Sequence, residues 1–203
     1  MTTVATELFA LDAAAQDLLF REAHTAHAFT DEPVSDEQIQ AIYDLVKYAP
    51  TAMNQSPLRI VLVRTPEAKE RLVGHMNDGN KAKTAAAPLT AILAADHEFH
   101  EHLPRLFPVY PTAKDMFAAN DEARVGSAQM NATLQAAYFF LGIRAAGLAA
   151  GPMAGYNAEA LTKDFFGEGK HSVLAVVNIG KPAEGAFYPR GERLAYDEVV
   201  TSV

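Results

Sequence analysis

The chain has 203 residues, a formal net charge of -8 at pH 7 and no cysteine. A length of this order fits one domain, placed over residues 1–203, and buries enough surface to fold without crosslinks. The lack of cysteine excludes disulfides, thiolate nucleophiles and cysteine-ligated zinc or iron–sulfur centres. The negative charge argues against nucleic acid or an anionic membrane as the main partner, so any anion must be bound by a local cluster of cations.

The sequence contains no segment typical of export or of a membrane span. Residues 1–8 lack the basic stretch, apolar core and small-residue cleavage site of a signal peptide. The longest apolar runs, such as residues 89–95, are far shorter than the roughly 18 residues that suggest a span. We therefore expect a cytoplasmic protein that does not act on membranes.

The first third of the chain predicts two helices and a strand. Helices are expected over residues 11–23 and 34–48, and the second begins with a capping box in which Ser35 is followed three residues later by Gln38. Residues 58–64 are rich in valine, isoleucine and leucine and alternate poorly, which indicates a strand covered on both faces.

The middle of the chain predicts a helix, a strand and a long connection. Pro66 opens a short helix to about Gly74, because proline suits a first helical turn. Residues 89–95 read as a second buried strand. The stretch 96–120 contains several prolines and little periodicity, and it is longer than an ordinary connection. We expect it to form an irregular lid or pocket wall.

The last third contains the longest helix, over residues 121–146. Its alanine-rich, nearly all-round apolar sequence is typical of the centre of a domain or a dimer. A helix over 157–166, a third strand over 172–179 and an extended arm over 180–203 follow. Helices and strands are intermingled without an internal repeat or linker, so the predicted class is α+β.

Four segments, in order along the chain, resemble the nitroreductase family. They are AHTAHAFTDEPVSDEQI from Ala23, YAPTAMNQSP from Tyr48, LGIRAAGLAAGPMAGY from Leu141 and YPRGERL from Tyr188. Within that family the sequence is most similar to the branch that contains malonic semialdehyde reductases. The run from Asp164 to Gly180 and the LFP at residues 106–108 carry that part of the resemblance.

The resemblance implies an oxidoreductase built on a central mixed or antiparallel sheet packed by helices, as an intertwined homodimer with FMN at the interface. NADH or NADPH would deliver hydride to the flavin and leave, and the acceptor would bind in the same slot, so no side chain need be catalytic. The acceptor would be a small aldehyde such as malonic semialdehyde, a nitroaromatic or a quinone. Two alternatives stay open: a protein that stores FMN, and an interaction protein of this fold without flavin.

The phosphate of FMN would be held, by resemblance, at His24, Thr25 and His27. Family members usually place stronger cations there, and here Arg190 and Arg193 in the C-terminal arm match the positions that reach the phosphate. If an imidazole stands in for an arginine, the phosphate should raise its pKa above about 6.5 in the complex. The alternative is that the arm is a solvated surface.

The flavin ring would meet the segment GPMAG. By resemblance, the backbone at Ala154 and Gly155 approaches the flavin N5, which only small residues allow, while Pro152 and Met153 stack beneath the ring. The alternative is that this segment is a turn that joins two helices.

Two further groups complete the implied site. Pro50, Thr51, Ala52 and Asn54 match a loop that the partner subunit lays over the flavin edge. Lys83 matches a polar position that faces the pyrimidine end, where a cation stabilises the reduced ring. The alternatives are that Asn54 is a turn residue bonded to its own backbone and that Lys83, between a loop and a strand, is solvated.

Other apparent motifs do not support a site. The histidines of HEFHEH, His97, His100 and His102, lack the spacing of a zinc-binding helix, so we expect a solvated loop and no metal. Neither G-x-G-x-x-G after a strand nor G-x-S-x-G occurs, which leaves a dinucleotide-binding fold and a serine hydrolase unsupported.

Overall fold

The fold is organised around one four-stranded sheet. A computed structural model describes residues 8–203, so most of the segment considered above for export lies outside the described residues. The sheet is antiparallel throughout, in the order β1-β2-β4-β3. The strands are β1 (Leu58–Val63), β2 (Leu89–Asp96), β3 (Ala149–Met153) and β4 (His171–Gly180).

Helices pack against this sheet, and the predicted α+β class is confirmed. The helices are α1 (Ala13–Gln16), continued by a π-helical turn (Asp17–Arg21), α2 (Asp36–Val46), α3 (Pro66–His75), α4 (Asp78–Ala86), α5 (Leu103–Leu106), α6 (Ala113–Ala118), α7 (Asp121–Ala145), α8 (Ala158–Phe166) and α9 (Tyr196–Val199), with 3-10 turns at Ala52–Asn54 and Phe99–His102. The long helix α7 packs against α2 and against all four strands. No helix among residues 8–203 has the length and apolar character needed to cross a bilayer.

The capping box at the start of α2 is confirmed. The Ser35 hydroxyl accepts a hydrogen bond from the Gln38 backbone N–H at 3.2 Å, and the Gln38 side chain accepts one from the Ser35 N–H at 2.9 Å. Two N–H groups that the helix itself cannot satisfy thus find partners. This fixes where α2 begins.

The close crossing of α2 and α7 requires a glycine. A Cβ atom on Gly142 would lie 2.5 Å from Cγ1 of Val46 and 2.9 Å from Cγ2 of Ile42. Around this crossing lies the largest core cluster, which includes Phe139 and Ile143 of α7. The alanine-rich sequence of α7 therefore serves the centre of the domain, as predicted.

Strand burial differs from the prediction at β1. Every residue of β2 is buried, because β1 and β4 flank it and helices cover its faces. The strand β1 lies at the edge of the sheet and is mostly half-buried, so it is less completely covered than predicted. An apolar run does not reveal on its own whether a strand is central or at an edge.

The stretch 96–120 contains a 3-10 turn and two short helices, so the prediction that it is irregular was wrong. The turn at Phe99–His102 and helices α5 and α6 pack in a small core that they share with Ala95 of β2 and with Ala128 and Ala132 of α7. The rings of Phe99 and Phe117 meet edge to face with centroids 5.1 Å apart. Burial of these side chains supplies the order that the local sequence does not show.

Two elements of secondary structure, α4 and β3, were not predicted from the sequence. The helix α4 lies where a loop was expected, and β3 forms from a run of alanine, glycine and proline that has low strand propensity. Pairing with β4 specifies β3, with Gly151 opposite Asn178. A Cβ on Gly151 would lie 2.5 Å from the Ala26 carbonyl oxygen, so glycine is needed for the chain to pass there.

Candidate cofactor site

Five of the predicted residues line one pocket. This basic pocket has a volume of about 230 Å³ and lies between the segment after the first helix and the C-terminal arm. It is lined by Ala23, His24, Thr25, His27, Tyr188, Pro189, Arg190, Gly191 and Arg193. Residues more than 160 positions apart in the chain thus meet, as the resemblance implied they would.

Backbone hydrogen bonds fasten one wall of the basic pocket to β3 and to the C-terminal arm. The Ala26 N–H donates to the Ala150 carbonyl of β3 at 3.0 Å, and the His27 N–H donates to the Ala186 carbonyl at 2.9 Å. Ring contacts extend this pairing, because the His27 and Tyr188 rings lie 4.1 Å apart. The arm is therefore fastened beside the imidazoles.

The two arginines of the pocket donate only to backbone oxygens. Arg190 reaches the carbonyls of Arg21 and Ala23, at 2.5 and 3.0 Å. Arg193 donates to the carbonyls of Gly191 and Glu192, each at 3.0 Å. Within residues 8–203 neither guanidinium forms an ion pair with a carboxylate. No ion pair within the described residues therefore neutralises their charge.

The cations of a larger groove are already paired. This groove, of about 590 Å³, lies between α2, β1 and α7 and is largely apolar. Its Lys47 pairs with Asp44 at 2.6 Å, and its Arg59 pairs with Asp96 at 2.5 Å. Because carboxylates neutralise these cations, the basic pocket is the better place for an anion.

The charge state of His27 depends on its surroundings. Burial, and secondly the nearby positive charge of Lys83, lower the pKa of His27 below its ordinary value. The protein's own groups thus favour the neutral imidazole at pH 7, whereas an anion beside it would act in the opposite direction. The positive charge of Lys83 therefore acts on His27.

Lys83 lies in the last turn of α4, not between a loop and a strand as predicted. It is half-buried, and its backbone oxygen accepts a hydrogen bond from the Asn178 amide at 3.1 Å. The first turn of α4 contacts the GPMAG segment, because the Gly155 carbonyl accepts from the Asn77 N–H at 3.0 Å and from the Asn80 amide at 2.9 Å. One helix therefore holds two predicted parts of the site.

The GPMAG segment joins strand β3 to α8, so the alternative of a turn between two helices was wrong. Ala154 is exposed, and its carbonyl accepts a hydrogen bond from the Tyr156 N–H at 3.2 Å. At Gly155, a Cβ atom would lie 2.6 Å from Nδ2 of Asn80. A side chain at this position would thus displace the Asn80 amide, which donates to the Gly155 carbonyl.

Met153 is placed differently from the prediction. Its side chain is 8% exposed and packs in a core cluster with Leu72 and Ile92, and its sulfur accepts from the Thr84 hydroxyl at 3.8 Å. Alternate side chains of a strand point to opposite faces, so the neighbouring Pro152 points away from this core. Pro152 is half-buried.

The loop of Pro50, Thr51, Ala52 and Asn54 does not line the basic pocket of its own chain. The Ala52 N–H donates to the Asn131 side chain of α7 at 2.8 Å, and the Thr51 hydroxyl donates to the Gln55 carbonyl at 2.7 Å. The Asn54 amide donates to the Leu106 carbonyl of α5 at 2.9 Å and not to its own backbone. The loop is thus fixed to two helices.

A buried polar network beneath this loop was missed. Gln55 and Asn131 are 1% and 2% exposed, and the Gln55 side-chain oxygen accepts from Ser127 at 2.9 Å and from Asn131 at 3.1 Å. Met53 and Asn54 have φ of 51° and 52°, in the left-handed region. Helix α7 carries other polar residues besides Ser127 and Asn131, so the sequence alone does not single out this network.

The histidines of HEFHEH bring together no set of three metal-ligating side chains in the described part of the chain. His97 instead forms a hydrogen bond with the Ser172 hydroxyl at 2.8 Å, and His100 is buried within the 3-10 turn. The expectation of a solvated loop was therefore wrong, because burial of Phe99 draws the segment into the core.

Comparison with known proteins gives the family. Residues 20–181 match the sequence model of the Nitroreductase family, and the chain belongs to this family. A Streptomyces coelicolor protein named as an NADH dehydrogenase/NAD(P)H nitroreductase is 66% identical over 193 residues, which cover 95% of this chain and 98% of that protein. A Stenotrophomonas maltophilia protein with the same description is 46% identical, covering 93% and 96%.

Solved structures show the same fold. A nitroreductase from Exiguobacterium sibiricum in complex with FMN superposes with a TM-score of 0.84 at 18% identity, covering 96% of this chain and 98% of that one. An NAD(P)H:FMN oxidoreductase from Staphylococcus epidermidis superposes with a TM-score of 0.79 at 19% identity, covering 96% and 98%. The nitroreductase-like fold predicted from the sequence is thus confirmed.

Proposed function

We propose that this protein is an FMN-dependent oxidoreductase that takes hydride from NADH or NADPH and passes it to a small organic acceptor. Membership of the family supports the reaction class, as do the names of the Streptomyces relative and of the Staphylococcus structure. The observation that carries the proposal is the basic pocket, where imidazoles and two arginines without a carboxylate partner among residues 8–203 surround a volume suited to a phosphate.

The donor set of the basic pocket fits the phosphate of FMN. Guanidinium groups bind phosphate through paired N–H donors, and Arg190 and Arg193 both face the pocket without a carboxylate partner in the described chain. The Thr25 hydroxyl and the imidazoles of His24 and His27 add shorter-range donors. These groups together would neutralise a dianion.

The residues around α4 would hold the ring. FMN, when bound, supplies the atom that accepts hydride from the nicotinamide and then transfers it. The backbone N–H of Ala154, an exposed residue, would donate toward that atom, and Pro152 would support the ring from below. Lys83 would place a positive charge at the pyrimidine end, where the reduced ring is more negative.

We further propose a homodimer in which the loop of Pro50, Thr51, Ala52 and Asn54 covers the flavin of the partner subunit. This loop lies away from its own basic pocket, and α2 and α7 expose several apolar side chains beside the large groove. These side chains are Tyr43, Leu45, Met130, Leu134 and Tyr138. Burial of such a face against a second copy would remove it from water.

For the acceptor we propose a small aldehyde such as malonic semialdehyde. Support comes from the sequence resemblance at residues 106–108 and 164–180. The names of the relatives include NAD(P)H nitroreductase, so a nitroaromatic or a quinone is the second candidate. Steady-state rates with malonic semialdehyde, a nitroaromatic and a quinone, each at limiting concentration, decide among them. A kcat/KM for the aldehyde below that for the other two would overturn the choice.

An ultraviolet-visible spectrum of the purified protein tests the main proposal. A bound-flavin spectrum that bleaches under anaerobic NADH or NADPH is the expected result. A flavin spectrum that neither donor bleaches would indicate a protein that stores FMN. A colourless protein that takes up no added FMN would indicate an interaction protein of this fold. The use of reduced nicotinamide is also our reason for proposing a cytoplasmic location.

A further inference from the structure

The C-terminal end of α4 lacks the usual backbone cap. The last carbonyls of a helix need outside donors, and residue 88 is a proline without an N–H. The ammonium of Lys69, on α3, fills this role: it donates to the carbonyl of Thr84 at 3.2 Å and to that of Ala87 at 2.9 Å. A cation at this end also complements the helix dipole.

A side-chain relay extends this cap across the sheet. Lys69 donates to the Thr90 hydroxyl at 2.9 Å, and that hydroxyl donates to the Asn178 side-chain oxygen at 2.9 Å. The Asn178 amide in turn donates to the Lys83 carbonyl at 3.1 Å. Thr90 and Asn178 are 0% and 1% exposed. The last turn of α4 is therefore held by two side chains that are themselves connected.

An ion pair does not explain why the ammonium of Lys69 is partly buried. It is half-buried, and among residues 8–203 no carboxylate lies within ion-pair distance of it. Burying an unpaired ammonium costs free energy, so the contacts that it makes must offset that cost. Its contacts hold the helix that carries Lys83 and that binds the Gly155 carbonyl through Asn77 and Asn80.

We infer that Lys69 is a positioning residue of the cofactor site, which fixes α4 and thereby holds Lys83 at the pyrimidine end of the flavin. This inference rests on the proposed FMN function. Lys69 lies outside the lining of the basic pocket and acts through the backbone of α4. If it is removed, the charge of Lys83 is held less firmly, and reduced FMN loses more stabilisation than oxidised FMN.

The midpoint potential of bound FMN tests this role, because a residue that only stabilised the fold would not alter the balance between the two redox states. Lys69→Met keeps the length of the side chain and removes its donors. Thr90→Val keeps the shape of the threonine and breaks the relay. The matched control is Lys81→Met. It removes a lysine that lies on α4 and pairs with Asp78.

We expect the affinity for reduced FMN to fall about tenfold more than that for oxidised FMN in Lys69→Met, which is about 30 mV toward negative potential for a two-electron couple. Thr90→Val should move the potential in the same direction, and it decides the question if Lys69→Met does not fold. Potentials equal to that of Lys81→Met in both variants, or shifts to positive values, overturn the inference. If the wild type binds no FMN, the proposed function is overturned together with the inference. If the wild type binds FMN but the potentials do not shift, only the inference is overturned.

Discussion

The imidazole of His27 and the phenol ring of Tyr188 lie 4.1 Å apart, inclined by 35°, on opposite walls of the basic pocket. One belongs to the segment after the first helix and the other to the C-terminal arm. Their contact, beside the hydrogen bond from the His27 N–H to Ala186, closes the pocket on one side. The arm is thus part of the site in geometry, whatever ligand the site holds.

Replacing Arg193 by alanine should weaken FMN binding. A charge-assisted hydrogen bond contributes about 1.5–3 kcal/mol, so the Kd should rise roughly ten- to a hundredfold. A flavin-fluorescence titration measures this directly. Lys163→Ala, which removes an exposed lysine on α8, should leave the Kd unchanged. Equal Kd values for Arg193→Ala and the wild type would show that the phosphate lies elsewhere.

FMN affinity should decrease as the pH rises through the titration of His27. Burial and Lys83 lower the pKa of His27 in the protein alone, and a phosphate dianion should raise it in the complex. Between these two pKa values the complex binds a proton that the free protein does not, so binding is strongest below the lower value and weakens toward the higher one. Each unit of difference corresponds to about tenfold in Kd.

Titrations at pH 6 and pH 8.5 measure this change, with His27→Gln and His24→Gln as variants. The loss of pH dependence in one variant identifies the imidazole that contacts the phosphate. If both variants keep the wild-type dependence, the arginines and backbone N–H groups bind the phosphate without either histidine.

Replacing Leu134 by glutamate should dissociate the proposed dimer. The side chain lies on α7 among exposed apolar residues, and obligate interfaces usually bury more than roughly 2,000 Å² in total. A buried, unpaired carboxylate there would be strongly unfavourable. Light scattering after size exclusion should give a dimer for the wild type and for Val109→Glu, an exposed site near α5, and a monomer for Leu134→Glu. A wild-type monomer that retains FMN would contradict the proposal.

The free energy of unfolding should rise with pH in the alkaline range because of Lys69. Burial lowers its pKa from the ordinary value of 10.5 to about 8. Between these values the unfolded chain binds a proton that the folded chain has lost, so this group makes the free energy of unfolding rise with pH. Urea unfolding measures the free energy of unfolding at pH 7.5 and 9.5. Between these pH values it should rise more in the wild type than in Lys69→Met, and Lys81→Met should behave like the wild type. Parallel pH profiles for wild type and Lys69→Met would refute this.

Features fixed by neighbouring residues could be predicted from the sequence, and features fixed by the tertiary structure could not. The cap at Ser35 and Gln38 involves four consecutive residues, so the pattern alone specifies it. Strand β3 has little propensity of its own and forms because β4 pairs with it. The resemblance brought the five residues of the basic pocket together correctly, as the lining shows.

Side-chain direction was the main source of error within the site. Met153 was expected beneath a ring, but its position on a strand turns the side chain toward Leu72 and the core. The sequence does not distinguish Lys69 from a surface residue, because a lysine in a polar helix is ordinarily solvated. Only the fold shows that its ammonium meets the end of α4.

The left-handed pair Met53 and Asn54 has a consequence for the entropy of binding. Asparagine tolerates this conformation, whereas methionine adopts it at a cost of about 1–2 kcal/mol. The bonds from Ala52 to Asn131 and from Asn54 to Leu106 hold both residues in place. Ordering a flexible backbone costs about 1–2 kcal/mol per residue, and here that cost is incurred when the chain folds. A ligand that meets this loop therefore encounters a surface that is already rigid, and its affinity is not reduced by ordering it.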